Sequence, residues 1–382
     1  MRYKLGEIFN LQMGKTPDRH SPKFWNEGTE PWISIADLTK CIKYIENTAE
    51  KITATAVDES GIKIIPKNTV IMSFKLSIGK VAITPKEMYS NEAIMSFIDK
   101  GVLKIEPVYL YYLLMHKDWD TGTNKAVMGK TLNKATLSQM TVNIHGYSEQ
   151  LEIIKALDTA SSIITARKQQ LAKLDELVKA RFVEMFGDPN DNPKGYSKKQ
   201  LKDTCRVITG NTPSRAVSEY YGEHIEWIKT DNIVSGLLNP TTATESLSEK
   251  GMAVSRTVES GAILMVCIAG SIASIGRVCV TDRKVSFNQQ INAIVPSDYN
   301  ILFLYVMLQI SKEYLVEEIN MALKGILSKS KLEEKTFYVP PIELQEQFAA
   351  FVEQTDKSKV AVQKALDEVQ LLFDSLMQKY FE

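Results

Sequence analysis

The 382-residue chain is short of the residue types that most often announce a chemistry. It holds four cysteines, Cys41, Cys205, Cys267 and Cys279, with no C-x-x-C pair among them. That usage gives neither a thiol–disulfide motif nor a disulfide framework. The four histidines stand singly, which argues against a zinc site. The longest apolar run, 262–269, is about eight residues, against the ~20 needed to span a bilayer. The first residues, Met1-Arg2-Tyr3-Lys4-Leu5-Gly6-Glu7, carry an acid and no apolar core, so no signal peptide is expected. These absences describe a reduced, cytoplasmic protein without a structural metal.

Charge of one sign is missing as well: 46 basic residues face 46 acidic ones. Residues 1–147 hold 19 basic and 15 acidic residues, while 341–382 hold 4 and 8. A protein that grips nucleic acid unaided usually shows a basic excess. Composition alone therefore weighs mildly against nucleic-acid binding. Catalytic signatures are absent too. "MGKT" at Met128 has no glycine at the position a phosphate loop requires, which Asn124 occupies. "VPPI" at Val339 lacks the leading Asn or Asp of a methyltransferase tetrad, and no nucleophile–base constellation is legible.

What is present is a repeat. "GKTPDR" at Gly14 returns as "GNTPSR" at Gly210, 196 residues on. "PWISIADL" at Pro31 answers "EWIKTDNI" at Glu226, and "SIGKVAI" at Ser77 answers "SIGRVCV" at Ser274. Asn91 falls on Asn288, Gly129 on Gly325, and "SEQL" at Ser148 on "QEQF" at Gln345. The offset stays between about 195 and 197 apart from an insertion near Gly270, so two homologous halves fill the chain. Each half begins with short strand-like runs, such as "NTVIMSF" from Asn68 and "GAILMVCI" from Gly261. One helical stretch interrupts each: "PVYLYYLLMHKDW" in the first, "ILFLYVMLQISKEYLVEEI" in the second.

Each half ends in a segment free of Gly and Pro. Leu157, Ile164, Leu171 and Val178 recur every seven residues, with Leu174 on the adjoining position. In the second segment Leu366, Phe373 and Tyr380 alternate with Val362, Val369 and Leu376. This is a heptad seam, the pattern of a two-helix coiled coil. At 1.5 Å per residue each helix runs about 50–60 Å. The alternative, two amphipathic helices lying on globular domains, lacks a partner along the helix length. The expected fold is α+β: homologous mixed domains at 1–147 and 188–340, with spacer helices at 148–187 and 341–382. An internal pseudo-two-fold would pack the helices antiparallel and put the domains at opposite ends. Two equivalent heads at a fixed spacing suit duplex DNA, whose groove face returns every ~34–36 Å.

Over its whole length the chain resembles the specificity (DNA-recognition) subunit of type I restriction–modification systems. The resemblance is carried by the paired "GKTPDR" and "GNTPSR", "WISIADL" and "WIKTDNI", and the N-x-x-I elements at Asn91 and Asn288. "LDELVKARFVEMFGDP" from Leu174 and "VPPIELQEQ" from Val339 add to it. The first half has "VNIHGYSEQ" from Val142 where the family shows prolines, which would loosen the start of its helix. The resemblance implies a non-catalytic reader whose two domains each recognise half of a split, asymmetric duplex site. It implies helices that fix the gap and dock two methyltransferase subunits, with translocase–nuclease subunits joining for cleavage. S-adenosylmethionine, ATP and Mg²⁺ would belong to those partners, with no cofactor bound by this chain. Two alternatives stay open: a related bipartite system with a fused methyltransferase–nuclease partner, and a scaffold whose heads grip proteins.

In Gly-x-Thr-Pro-x-Arg, glycine permits a positive φ and proline fixes the turn. Arg19 and Arg215 then either contact phosphate or a guanine edge, or pair an acid within the fold. Lys15 lies within the first phrase and Lys229 within "WIKTDNI". Lys75, Lys80, Arg277, Asn288 and Gln289 flank short strands, as readers or as structural polar groups; Asn and Gln suit the N6 and N7 of adenine. Lys130, Asn133 and Lys134 follow Gly129, and Lys324 and Lys329 bracket Gly325, on loops suited to DNA contact. Phe182, Met185, Phe186, Tyr380 and Phe381 make apolar helix ends, open to packing or to partner docking.

Overall fold

The computed structural model describes residues 1–75, 77–119, 132–317, 319 and 325–382, and the backbone of 124–126 and 129–131. It divides into two compact units, Met1–Thr165 with Leu366–Glu382, and Ala166–Ala365. Each unit holds one globular half and a stretch of both long helices.

In the first unit, Phe9–Met13, Ile94–Asp99, Val70–Ser73 and Val81–Ile83 form an antiparallel sheet in that order. The inner strand Val70–Ser73 is buried at every position, so it reads as a continuous apolar run rather than an alternation. The edge strand Phe9–Met13 alternates buried and open residues at its start, as a one-sided strand should. A second sheet orders Glu50–Ile52, Glu30–Ile33 and Tyr89–Ser90, the last two parallel, with Trp32 opposite Tyr89 and Ile33 opposite Ser90. The helix Pro107–His116 starts on a proline and buries Tyr109 to Leu114 without a break, so it is a core helix apolar all round.

The second unit repeats the scheme. Cys205–Thr209, Ile291–Pro296, Ile263–Val266 and Val278–Val280 form the antiparallel sheet. Tyr221–Ile228 runs parallel to Val285–Phe287, with Trp227 opposite Ser286 and Ile228 opposite Phe287. The single helix expected over 301–319 divides at Ser311 into Ile301–Ile310 and Lys312–Val316.

The long helices span Tyr147–Phe186 and Ile342–Phe381, 40 residues each. A buried glutamine fastens each start. The Gln150 amide oxygen accepts from Glu106 N at 3.1 Å, and its nitrogen donates to the carbonyls of Lys104 and His145. Gln345 does the same work, accepting from Asn300 N at 2.8 Å and donating to Pro340 O at 2.9 Å. The start of the first helix is thus held without the prolines whose absence was expected to loosen it.

Within each unit the two helical stretches run antiparallel. In the first, the His145 ring lies 6.3 Å from Phe381, while Tyr112 bonds Asp158 and meets Phe373 at 6.1 Å. In the second, Asp175 pairs Lys359 at 2.7 Å and Phe182 meets Phe348 at 5.4 Å. Of the heptad residues, Leu157, Ile164, Val362 and Leu366 are buried. Leu171, Leu174, Val178, Val369, Phe373, Leu376 and Tyr380 are half-buried, and none is exposed. The apolar end of each helix packs on the globular part of the other half: Phe182 and Phe186 against Phe303, and Phe381 against Tyr109 at 5.7 Å. Among the described residues no helix is long and apolar enough to cross a membrane.

Candidate nucleic-acid interface

Each repeated phrase lies against the turn that carries the repeated asparagine. In the first half Gly14 N donates to Ile94 O at 3.1 Å and Lys15 N to Ser90 O at 2.8 Å. In the second, Gly210 N donates to Ile291 O at 3.0 Å and Asn211 N to Phe287 O at 3.1 Å. The contact is so close that a Cβ on Gly14 would strike the Asn91 carbonyl, and one on Gly210 the Asn288 carbonyl. The glycines are required by this approach. Neither is among the residues with positive φ, contrary to the sequence expectation.

The tryptophans tie the phrase from beneath. Trp32 Nε1 donates to Lys15 O at 3.1 Å and Trp227 Nε1 to Asn211 O at 3.3 Å. Over each tryptophan lies the arginine of the phrase. Arg19 stacks 4.0 Å from the Trp25 ring centre and 4.6 Å from Trp32, and forks onto both carboxylate oxygens of Glu50. Arg215 lies 4.4 Å from Tyr221 and 5.1 Å from Trp227, and pairs Glu245 at 2.6 Å. Lys229 shares Glu245 at 2.5 Å, where the first half has Ser34 capping a short helix. Hydrogen bonds from Lys229 and Arg215 hold the Glu245 carboxyl below its ordinary pKa. A planar cation backed by rings and paired on one edge keeps its remaining N–H donors in one plane.

The asparagines are turn-makers. Asn91 Oδ1 accepts from Ala93 N at 3.0 Å, and Asn288 Oδ1 accepts from Gln290 N at 3.1 Å. Asn288 is 6% exposed and so committed to its turn rather than offered to a base. Lys80 and Arg277 also serve the fold. Lys80 Nζ reaches Thr39 Oγ1, and Arg277 donates to the carbonyls of Ser274 and Thr230. These contacts give Asn288, Lys80 and Arg277 the structural role that the sequence left open beside base reading.

The residue after the turn asparagine is exposed in both halves. Glu92 and Gln289 each follow the turn asparagine, and each accepts the hydroxyl of the phrase threonine, Thr16 or Thr212. Lys15 is exposed within the first phrase, and half-buried Lys75 lies 5.3 Å from the Phe74 ring. Lys134 and Lys329 both open short helices capped by Asn133 and Ser328, the Asn133 side chain accepting from Thr136 N at 2.8 Å. Lys329 pairs Glu333 at 3.5 Å. The Lys130 side chain and Lys324 lie outside the described residues.

The family model for the type I restriction modification DNA specificity domain matches residues 1–176 and again 193–370. The chain belongs to this specificity family. A relative of full extent, the type I restriction enzyme MjaIX specificity subunit of Methanocaldococcus jannaschii, is 26% identical over 98% of this chain and 91% of its own. The HindI specificity subunit of Haemophilus influenzae is 30% identical over 41% of this chain and 35% of its own. Among solved structures, a type I S subunit from M. genitalium matches with a TM-score of 0.60 at 15% identity, covering 100% of this chain and 96% of the other. A structure from work on assembly and conformational transition of the type I R-M system gives 0.57 at 16% identity, over 99% and 96%. These structural likenesses show the shared fold. As a specificity subunit, the chain recognises DNA.

Several parts of the specificity frame escaped the sequence reading: Glu50 and Glu245, Thr16 and Thr212, Gln150 and Gln345, and Glu92. The signal was there, since each pair recurs at the repeat offset. Glu50 and Glu245 stood unremarked because acids are common and their arginine partners lie 31 and 30 residues away.

Proposed function

We propose that each half reads one part of a split, asymmetric duplex target, and that the paired helices set the gap between the parts. The chain performs no chemistry of its own. It docks two methyltransferase subunits, and translocase–nuclease subunits join for cleavage. S-adenosylmethionine, ATP and Mg²⁺ are bound by these partners, which supply much of the positive surface that a neutral chain lacks. The complex works in the cytoplasm, on the DNA there.

One observation carries this reading. The two halves share a backbone frame of phrase, tryptophan strand and asparagine turn, yet present different groups on it: Glu92 against Gln289, and Ser34 against Lys229. A shared frame with exchanged tips suits two half-sites of different sequence, since loops on a rigid scaffold carry recognition. Co-expression with the methyltransferase partner, followed by genome-wide mapping of methylated positions, tests it. The expected result is a two-part motif with a fixed gap; a continuous motif, or none, overturns the reading. Duplex binding by the assembled complex should weaken steeply as salt rises, whereas a scaffold gripping proteins shows no duplex affinity.

A further inference from the structure

What the halves hold in common cannot distinguish their half-sites. Arg19 and Arg215, with their aromatic beds and carboxylates, are common and suit contacts that ignore sequence. The discriminating groups must stand where the frame is the same and the side chain changes. Glu92 and Gln289 meet that condition most closely. Each occupies the residue after the turn asparagine. Each turn is closed by two similar bonds, Asn91 Oδ1 with Ala93 N and Asn91 O with Ile94 N, matched by Asn288 with Gln290 and Ile291. Each is backed by the glycine phrase, and each side chain is held by a threonine hydroxyl from it. Both are exposed.

The chemistry of the two tips differs in one respect. Burial works against the Glu92 charge, but Thr16, its own backbone N–H, Lys75 and Arg19 together bring the carboxyl below its usual pKa. It is therefore an acceptor only, repelled by phosphate and satisfied by an exocyclic amino group in the major groove. Cytosine N4 is the base donor that a carboxylate takes. Gln289 has both an acceptor and two donors on its amide, the pattern that matches adenine N6 and N7.

We infer that Glu92 and Gln289 are equivalent specificity-setting residues, Glu92 selecting a cytosine in the half-site of the first domain and Gln289 an adenine in that of the second. This rests on the recognition reading above. The test is E92Q and, separately, Q289E, each co-expressed with the methyltransferase partner and its methylated motif mapped. E92Q should shift one position of one half-motif from cytosine toward adenine by roughly tenfold or more, leaving the other half-motif intact. Q289E should alter the opposite half-motif alone. Motifs identical to the wild type in both variants overturn the assignment while leaving the recognition reading standing. A wild-type chain that yields no split motif removes that reading itself. If a variant abolishes methylation, duplexes selected from a randomised pool by the variant complex decide. Loss of preference at one position of one half-site supports the assignment, and a uniform loss across all sequences overturns it.

Discussion

Gly14 and Gly210 sit where a phrase and a turn touch through their backbones, and nothing larger than hydrogen fits between. Replacing either with alanine forces the loop away from the Asn91 or Asn288 carbonyl. The expected cost is about 1–3 kcal/mol of unfolding free energy, as for other overpacked sites, read by denaturant titration. Gly146 offers a control, since a Cβ there meets nothing; Gly146→Ala should stay within about 0.5 kcal/mol of the wild type. Equal losses at Gly14 and Gly146 would contradict the close-approach account. Glu245 gives a second prediction, in pH. Its folded pKa lies below the ordinary value, so its pairing with Arg215 and Lys229 stabilises fully above the unfolded glutamate pKa of about 4.3. That stabilisation fades as pH falls through the lower folded value. The pair is partly exposed and contributes at most about 1 kcal/mol. The melting temperature of E245Q should therefore sit below the wild type at neutral pH and converge with it in acid. A gap that widens in acid would refute this.

Among the elements, those most legible in the sequence were the ones whose pattern is local. The long helices showed their seam because heptad spacing depends only on neighbours along one helix. Val70–Ser73 and Ile263–Val266 stood out as short apolar runs because inner strands bury both faces. The parallel pairing of Glu30–Ile33 with Tyr89–Ser90 was not legible, because it joins residues about 57 apart through a long connection. The site inherited that blindness. Arg19 was visible as a motif residue, but its partner Glu50 becomes a neighbour only after Glu50–Ile52 pairs with Glu30–Ile33. Likewise "SEQL" and "QEQF" marked helix starts without revealing that Gln150 and Gln345 are buried locks. Gln345→Leu removes the acceptor of Asn300 N and the donor to Pro340 O. A buried polar group left unpaired costs about 1–3 kcal/mol, so Q345L should lower stability by that order, and Q150L likewise. Variants as stable as the wild type would show the locks to be dispensable.

For the whole molecule the question is how two readers are kept in step, and the proposed answer is helix length. Seven residues extend an α-helix by about 10 Å, two turns that preserve the heptad phase. On B-form DNA this is roughly three base pairs. Insertions of seven residues in both helices, after Thr165 and before Leu366, should therefore lengthen the gap in the methylated motif by about three base pairs while leaving both half-sequences unchanged. An insertion in the first helix alone breaks the match between the strands of the coiled coil and should change the gap or abolish modification. The two effects are separable: the frames that carry Glu92 and Gln289 lie wholly within their own units and share no residue with the insertion points. A motif whose gap stays fixed after the paired insertion, with modification undiminished, would mean that something other than these helices measures the distance.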